Sequence, residues 1–174
     1  MRRHWFQRWF KGLVASLAML AALLSPLAAP QAVWAITAPE LRGQRSLQDL
    51  QPDMHGRILQ QQEFLKANLQ AYDFSDADLR GAVFNTAHLE NANLSGADLE
   101  DVVAFASRFE GANLRGAVLR NAMLMNSSFK GAVIDGADFT DAVLDLPQQK
   151  ALCARAQGIN PRTGVDTRDS LACR

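Results

Sequence analysis

Large apolar side chains recur at every fifth position from Leu59 to Leu144, with one exception at Ala104. The series runs through Phe64, Leu69, Phe74, Leu79, Phe84, Leu89, Leu94 and Leu99, breaks at Ala104, and resumes from Phe109 to Phe139. Two positions before each centre the residue is usually Ala, as at Ala67, Ala77, Ala82 and Ala87. A period of five suits neither regular element. Five steps of about 100° scatter side chains around an α-helix, and on a strand they alternate between faces. The centres share one interior only if the chain turns a corner every five residues.

The units Ala67-Asn-Leu-Gln-Ala71, Ala77-Asp-Leu-Arg-Gly81, Ala92-Asn-Leu-Ser-Gly96 and Ala97-Asp-Leu-Glu-Asp101 resemble the pentapeptide-repeat family, whose pattern is A-(D/N)-L-x-x. The resemblance covers residues 57–146 without a slip of phase. It implies an all-β solenoid, a right-handed quadrilateral β-helix with one unit per side and a 20-residue coil, closed by short α-helical caps. Eighteen units give about 4.5 coils, roughly 22 Å tall at ~4.8 Å between strands. The centres then stack between coils, and the small Ala lets opposite walls approach. Asn or Asp before the centre is placed to bond nearby backbone, and Gly after it tolerates φ > 0. On this reading the recurring Asp residues are structural.

Residues 1–35 read as a secretory signal peptide. Arg2, Arg3, Arg8 and Lys11 form a basic start, Leu13 to Leu24 an apolar stretch, and Val33-Trp34-Ala35 a cleavage site. Such a segment engages the export machinery and leaves a soluble chain beginning at Ile36. The apolar stretch is shorter than the ~20 residues of a membrane span. The full chain is neutral, with 18 basic and 18 acidic residues. Loss of four basic residues and no acid leaves an acidic mature protein, which argues against nucleic-acid binding through a basic groove.

Residues 36–56 form an N-terminal cap segment, with a short helix at Leu47–Leu50. Residues 147–174 form a C-terminal cap. Pro147 suits a helix first turn, Gln148–Gln157 favours helix, Gly158 suits its stop, and Asp166 is an N-cap for a last helix through Cys173. The only cysteines, Cys153 and Cys173, lie in this cap. In an exported chain an even pair reads as a disulfide, with free thiols or a redox switch as alternatives. The tail, together with Asp53-Met54-His55-Gly56-Arg57, resembles the thylakoid-lumen members of the family in cyanobacteria and chloroplasts. That resemblance implies a lumenal location, with the periplasm as the alternative, and it carries no activity.

No catalytic, cofactor or metal site is legible. His55 and His88 stand alone, and no nucleophile elbow, phosphate loop or metal-spaced cluster is present. The outward positions hold a sharper feature. At 20 residues per coil, Val83, Val103, Met123 and Val143 fall in one column, and Leu65, Phe105 and Met125 in the adjacent one. These seven residues form an apolar stripe where Asp, Asn or other polar residues are usual, with Val118 and Val133 as further outward exceptions. At its middle Ala104 replaces a large centre and Val102 a small Ala. Either Val102 fills the space left by Ala104, or Phe105 turns inward. The stripe is covered by the chain's own residues 36–56 or its tail, binds a partner, either an unknown protein or a second copy, or arises by chance.

These features favour an exported, non-enzymatic interaction scaffold without a cofactor. Two other readings are a redox-responsive lumenal factor acting through Cys153 and Cys173, and a DNA-mimicking inhibitor of gyrase type. Export argues against the last.

Overall fold

The computed structural model describes residues 51–174. The expected signal peptide and the greater part of the N-terminal cap segment, including its Leu47–Leu50 helix, lie outside the described residues.

The register is set by one rule. From Asp53 to Met123, each residue before a centre forms a parallel bridge with the residue 20 positions on. Asp53 pairs with Asp73, Ile58 with Asp78, Glu63 with Val83, and the series ends at Met123 and Val143. Each coil therefore has four walls, named here by their first complete centres: Phe64, Leu69, Phe74 and Leu79. At every corner from Gly56 to Asp141, the second residue after the centre has φ between +54° and +72°. This left-handed residue is the third of a β-turn, closed for example by Ala77 N donating to Phe74 O at 3.1 Å. Eleven of these corner residues are not glycine (Gln61 and Asp141 among them), so the coil register holds a conformation that most residues avoid.

Backbone bonding explains why Asp or Asn precedes a centre. In the Phe74 unit, Phe74 N donates to Asn93 O, Asp76 N to Ser95 O, and Asp73 N to Pro52 O in the coil below. The amide just after the centre has no such backbone partner, and the residue before the centre supplies one. Asp73 Oδ1 accepts from Ser75 N at 2.9 Å, Asn68 Oδ1 from Gln70 N at 3.3 Å, and Asp138 Oδ1 from Thr140 N at 2.9 Å. Where Asp or Asn stands before the centre, its side chain thus completes the bonding of the unit.

The interior holds stacked centres that exclude solvent. Phe64 lies over Phe84 with ring centroids 4.8 Å apart, and Phe109 over Phe129 at 4.9 Å. The stack begins one unit before the expected start at Arg57. Met54 occupies a centre and is 2% exposed, because its N–H bonds Asp73 O and its own turn closes through Arg57 N.

Where the period breaks, Ala104 and Val102 are both buried. Two inward serines complete the adjustment. The Ser107 amide, which would close the Ala104 turn, donates instead to Ser127 Oγ at 2.9 Å, and that hydroxyl donates to Ala104 O. Ser107 Oγ donates to Phe84 O at 2.6 Å.

The C-terminal residues close the last coil and one wall. Helix α1 spans Leu146–Cys153, shorter than the expected 148–157 and starting two residues earlier. Gly158 does not stop it; with φ of +86° it serves a strap that returns along the corner between the Phe74 and Leu79 walls. A Cβ at Gly136 would sit 3.0 Å from Ile159 O and one at Gly116 3.5 Å from Pro161, so glycines at this corner admit the strap. Asn160 anchors it, with Nδ2 donating to the carbonyls of Gly116, Ala117 and Gly136. Val118, read from sequence as an outward exception, lies beneath this strap and is 4% exposed. Helix α2 is Thr167–Ser170, with Asp166 accepting from Arg168 N at 2.8 Å; it ends before Cys173 because Leu171 already caps it. Cys153 and Cys173 are disulfide-bonded, with Cα atoms 5.5 Å apart. The cap also supplies acceptors to the open edge of the last coil. Gln157 O receives Gly136 N at 2.8 Å, and Ser170 Oγ receives Phe139 N at 3.0 Å.

Asn160→Ala leaves buried carbonyls without their donor and should cost about 2–4 kcal/mol in urea unfolding. A loss below about 0.5 kcal/mol would show that the strap contributes little to the fold.

Candidate functional site

Three of the four walls are lined outside by polar networks. On the Phe74 wall, Asn93 Nδ2 donates to Asp73 Oδ1 at 3.0 Å and Asn113 Nδ2 to Asn93 Oδ1 at 3.1 Å, forming an amide ladder. The Leu69 wall carries His88, Glu90, Arg108 and Glu110. Arg108 Nε lies 3.0 Å from Glu90 and 3.6 Å from Glu110, and His88 Nδ1 lies 3.3 Å from Glu90. On the Leu79 wall Arg80 bonds Asp78 through two nitrogens, at 2.9 and 2.7 Å.

These contacts hold several carboxyls in the charged state. Hydrogen bonds from Arg80 keep Asp78 well below the usual carboxylate range. The Ser75 hydroxyl and amide lower Asp73. Burial alone would raise Asp138, but the Thr140 hydroxyl and amide outweigh it and the net shift is downward. Carboxylates engaged in this way complete turns and ladders. Among the described residues, no group of three or more His, Cys, Asp or Glu is placed to hold a metal ion.

The Phe64 wall differs. The bridges Val83–Val103, Val103–Met123 and Met123–Val143 place the first column of the stripe in a single ladder. The second column is set by Thr86 N donating to Phe105 O and Ala106 N to Met125 O. All seven residues of the stripe face outward. Phe105 is 44% exposed and Met123 49%; Leu65, Met125 and Val143 are similarly exposed, and Val83 and Val103 are half-buried. Phe105 therefore does not turn inward, and Val102 is the residue packed within the core beside Ala104. The C-terminal residues do not cover this wall either, since the strap crosses the corner between the Phe74 and Leu79 walls. Of residues 36–56, the other proposed cover, 36–50 lie outside the described residues.

This apolar wall carries a cost for the coil. Val83, Val103, Met123 and Val143 stand where Asp or Asn elsewhere accepts the amide after the centre, and their side chains offer no such oxygen. The Phe105 amide is served from the coil below by Asn85 Oδ1 at 3.0 Å, and at the top Asp145 Oδ2 accepts from Asn126 N. The stripe thus spans five tiers, about 19 Å at the usual strand spacing. Its polar borders are Glu63 below, Asp145 above, and the corner residues Lys66, Thr86, Asp101 and Asp141 at its sides. An exposed apolar strip with a polar rim has the composition of a contact surface.

Cys153 and Cys173 border a concavity. Together with Leu146, Lys150 and Arg168 they line an open groove of about 770 Å³ on the cap. The sequence pattern reveals the stripe, but not the Ser107–Ser127 adjustment or the strap. The spacing of Gly96, Gly116 and Gly136 by 20 residues was the available signal for the latter. No helix among the described residues is long and apolar enough to cross a membrane.

The family described as pentapeptide repeats matches in eight copies over residues 63–103 and 106–144, interrupted where Ala104 and Phe105 stand. The chain is 67% identical over 36 residues to the chloroplast thylakoid lumenal protein TL20.3 of Arabidopsis thaliana; the match covers 21% of this chain and 13% of that relative's length. It is 33% identical to a pentapeptide repeat protein of known structure from the Arabidopsis thaliana thylakoid lumen, over 74% of this chain and 93% of that one, with a TM-score of 0.43. HetL, a pentapeptide repeat protein involved in heterocyst differentiation regulation in the cyanobacterium Nostoc sp. strain PCC 7120, is 27% identical over 53% of this chain and 44% of its own, with a TM-score of 0.51.

Two outcomes follow from this geometry. Phe105→Asp should change folding stability by no more than about 0.5 kcal/mol, whereas Phe109→Ala in the core should cost about 3–5 kcal/mol. A large loss from Phe105→Asp in urea unfolding would make the stripe internal packing. The lowered carboxyls have an ordinary value of 3.8 for Asp, so their contribution is complete above that range and is lost as pH falls through the folded values. Melting temperature should be level from about pH 7 to 5 and decline below about pH 4. A protein equally stable at pH 2 and pH 6 would contradict the assignment.

Proposed function

The chain belongs to the pentapeptide-repeat family, and from that premise we propose that it is an exported, non-enzymatic interaction scaffold of the thylakoid lumen whose partner docks on the Phe64 wall. The winding is the right-handed one that the family implies. The lumenal assignment is supported by two similar proteins of Arabidopsis thaliana, both described as belonging to the thylakoid lumen, and by the export signal read from residues 1–35. The non-enzymatic reading is supported by the outward carboxylates of the other walls, which are engaged in turns, ladders and ion pairs.

The observation that carries the docking role is the position of the stripe. Apolar side chains replace the turn-completing Asp or Asn on one wall in four successive coils, and they remain exposed there. At Val83, Met123 and Val143 the replacement forgoes a hydrogen bond worth about 0.5–1.5 kcal/mol, whereas at Val103 the Asn85 side chain supplies it, and the outward-facing side chains recover little of the loss by burial. A binding surface accounts for retaining them.

The test is a cross-linked pull-down from the native compartment with tagged wild type and a Phe105→Asp, Met125→Asp double variant. A specific partner retained by wild type and lost by the folded variant is the expected result. Recovery of the same proteins with both would remove the wall from the mechanism.

A further inference from the structure

The dimensions and border charges of the Phe64 wall restrict what fits it. Its two columns are two residues apart along the strand, about 7 Å, before the chain turns at a corner on either side. Its five tiers rise about 19 Å. The flat projection is on the order of 150–200 Å² even with side-chain width added, far below the ~800 Å² per partner of a stable dimer. A second copy of this chain therefore gains too little here. Strand addition is also excluded, because the backbone groups of the wall are already bonded to the coils above and below.

A single helix fits. Its diameter of about 10 Å matches the width, and about 13 residues at 1.5 Å each match the height. Apolar residues on successive helical turns lie about 5.4 Å apart, close to the ~4.8 Å between tiers. They would meet Val103, Phe105, Met123 and Met125 in turn, and the Met side chains adjust to small mismatches. The border is charged unevenly. Asp101, with Glu100 beside it, and Asp141 flank the first column and Asp145 ends the second; Lys66 stands beside the lowest tier, and Arg80 and Arg120 lie one residue beyond the corners on the Leu79 wall, Arg80 being paired with Asp78.

Resting on the reading of this wall as a docking surface, we propose that its occupant is one amphipathic α-helix of three to four turns, apolar on one face and basic along one flank. The helix lies along the stack of tiers, its basic flank beside Asp101 and Asp141.

Methionine oxidation tests this on the protein purified from cells expressing the full chain. Dilute hydrogen peroxide is applied, and sulfoxide at Met123, Met125 and buried Met54 is followed by mass spectrometry. The probes are a 14-residue helical peptide of Leu and Lys at amphipathic spacing and its Leu and Glu counterpart. Met123 and Met125 should oxidise at least tenfold faster than Met54 and be slowed several-fold by the Lys peptide alone. Asp101→Asn with Asp141→Asn should weaken that protection about fivefold. Slow oxidation of Met123 and Met125 without peptide would mean that the chain itself or a second copy occupies the wall, which overturns the proposal. Equal protection by the Glu peptide would overturn the charge assignment. Fast oxidation that neither peptide slows would overturn the helical partner. The pull-down comparison separately decides whether any protein docks on this wall.

Discussion

The parallel pairing of each residue with the one 20 positions on is the constraint from which the rest of the structure follows. It fixes the interior as stacks of like positions, Phe64 over Phe84 and Phe109 over Phe129. It also holds left-handed backbone at residues such as Gln61, Ala71 and Thr86, which have no intrinsic preference for it. The same pairing leaves one amide in every five without a backbone acceptor. The preference for Asp or Asn before the centre is the local chemical answer to that shortage, and it explains why the Asp residues at those positions are structural.

The apolar wall gains its meaning against that background. Where Val or Met replaces the turn-completing acceptor, the coil keeps its register because the neighbouring strands still pair. Asn85, within the second column, serves the Phe105 amide across coils, and Asp145 at the top accepts from the corner amide of Asn126. The fold thus tolerates an exposed apolar surface written directly onto a wall, with no loop or insertion needed. The strap shows the complementary device. Small residues at one corner and a buried Asn160 seat a returning segment over Val118 and Asp138, leaving the Phe64 wall clear of the C-terminal residues.

Much of this was legible in the chain because periodicity determines position directly. The five-residue phase located the interior, and steps of 20 located the stripe, including the exposure of Met123 and Met125. Features that depend on contacts distant in sequence were not legible. The strap joins Asn160 to Gly116 across 44 positions, and nothing local at either residue specifies the other. Val118 consequently read as outward and exposed. Nothing in the pattern marks Ser107 and Ser127, because their rearranged turn exists only once the coils stack. Met54 does not stand out in the pattern because Pro52, in place of Ala two positions earlier, disguises the first unit. The helix ends missed by a few residues because the demands of the strap on Gly158 outweighed its local suitability as a stop.

The central claim is that one wall of four makes the contact. A photoreactive side chain placed singly at Phe105, Arg80, Arg108 and Arg115 samples each wall of the same folded protein in its own compartment. The account predicts a discrete cross-linked adduct from position 105 and none from the other three. Equal adducts from all four, or an adduct only from a charged wall, would contradict it.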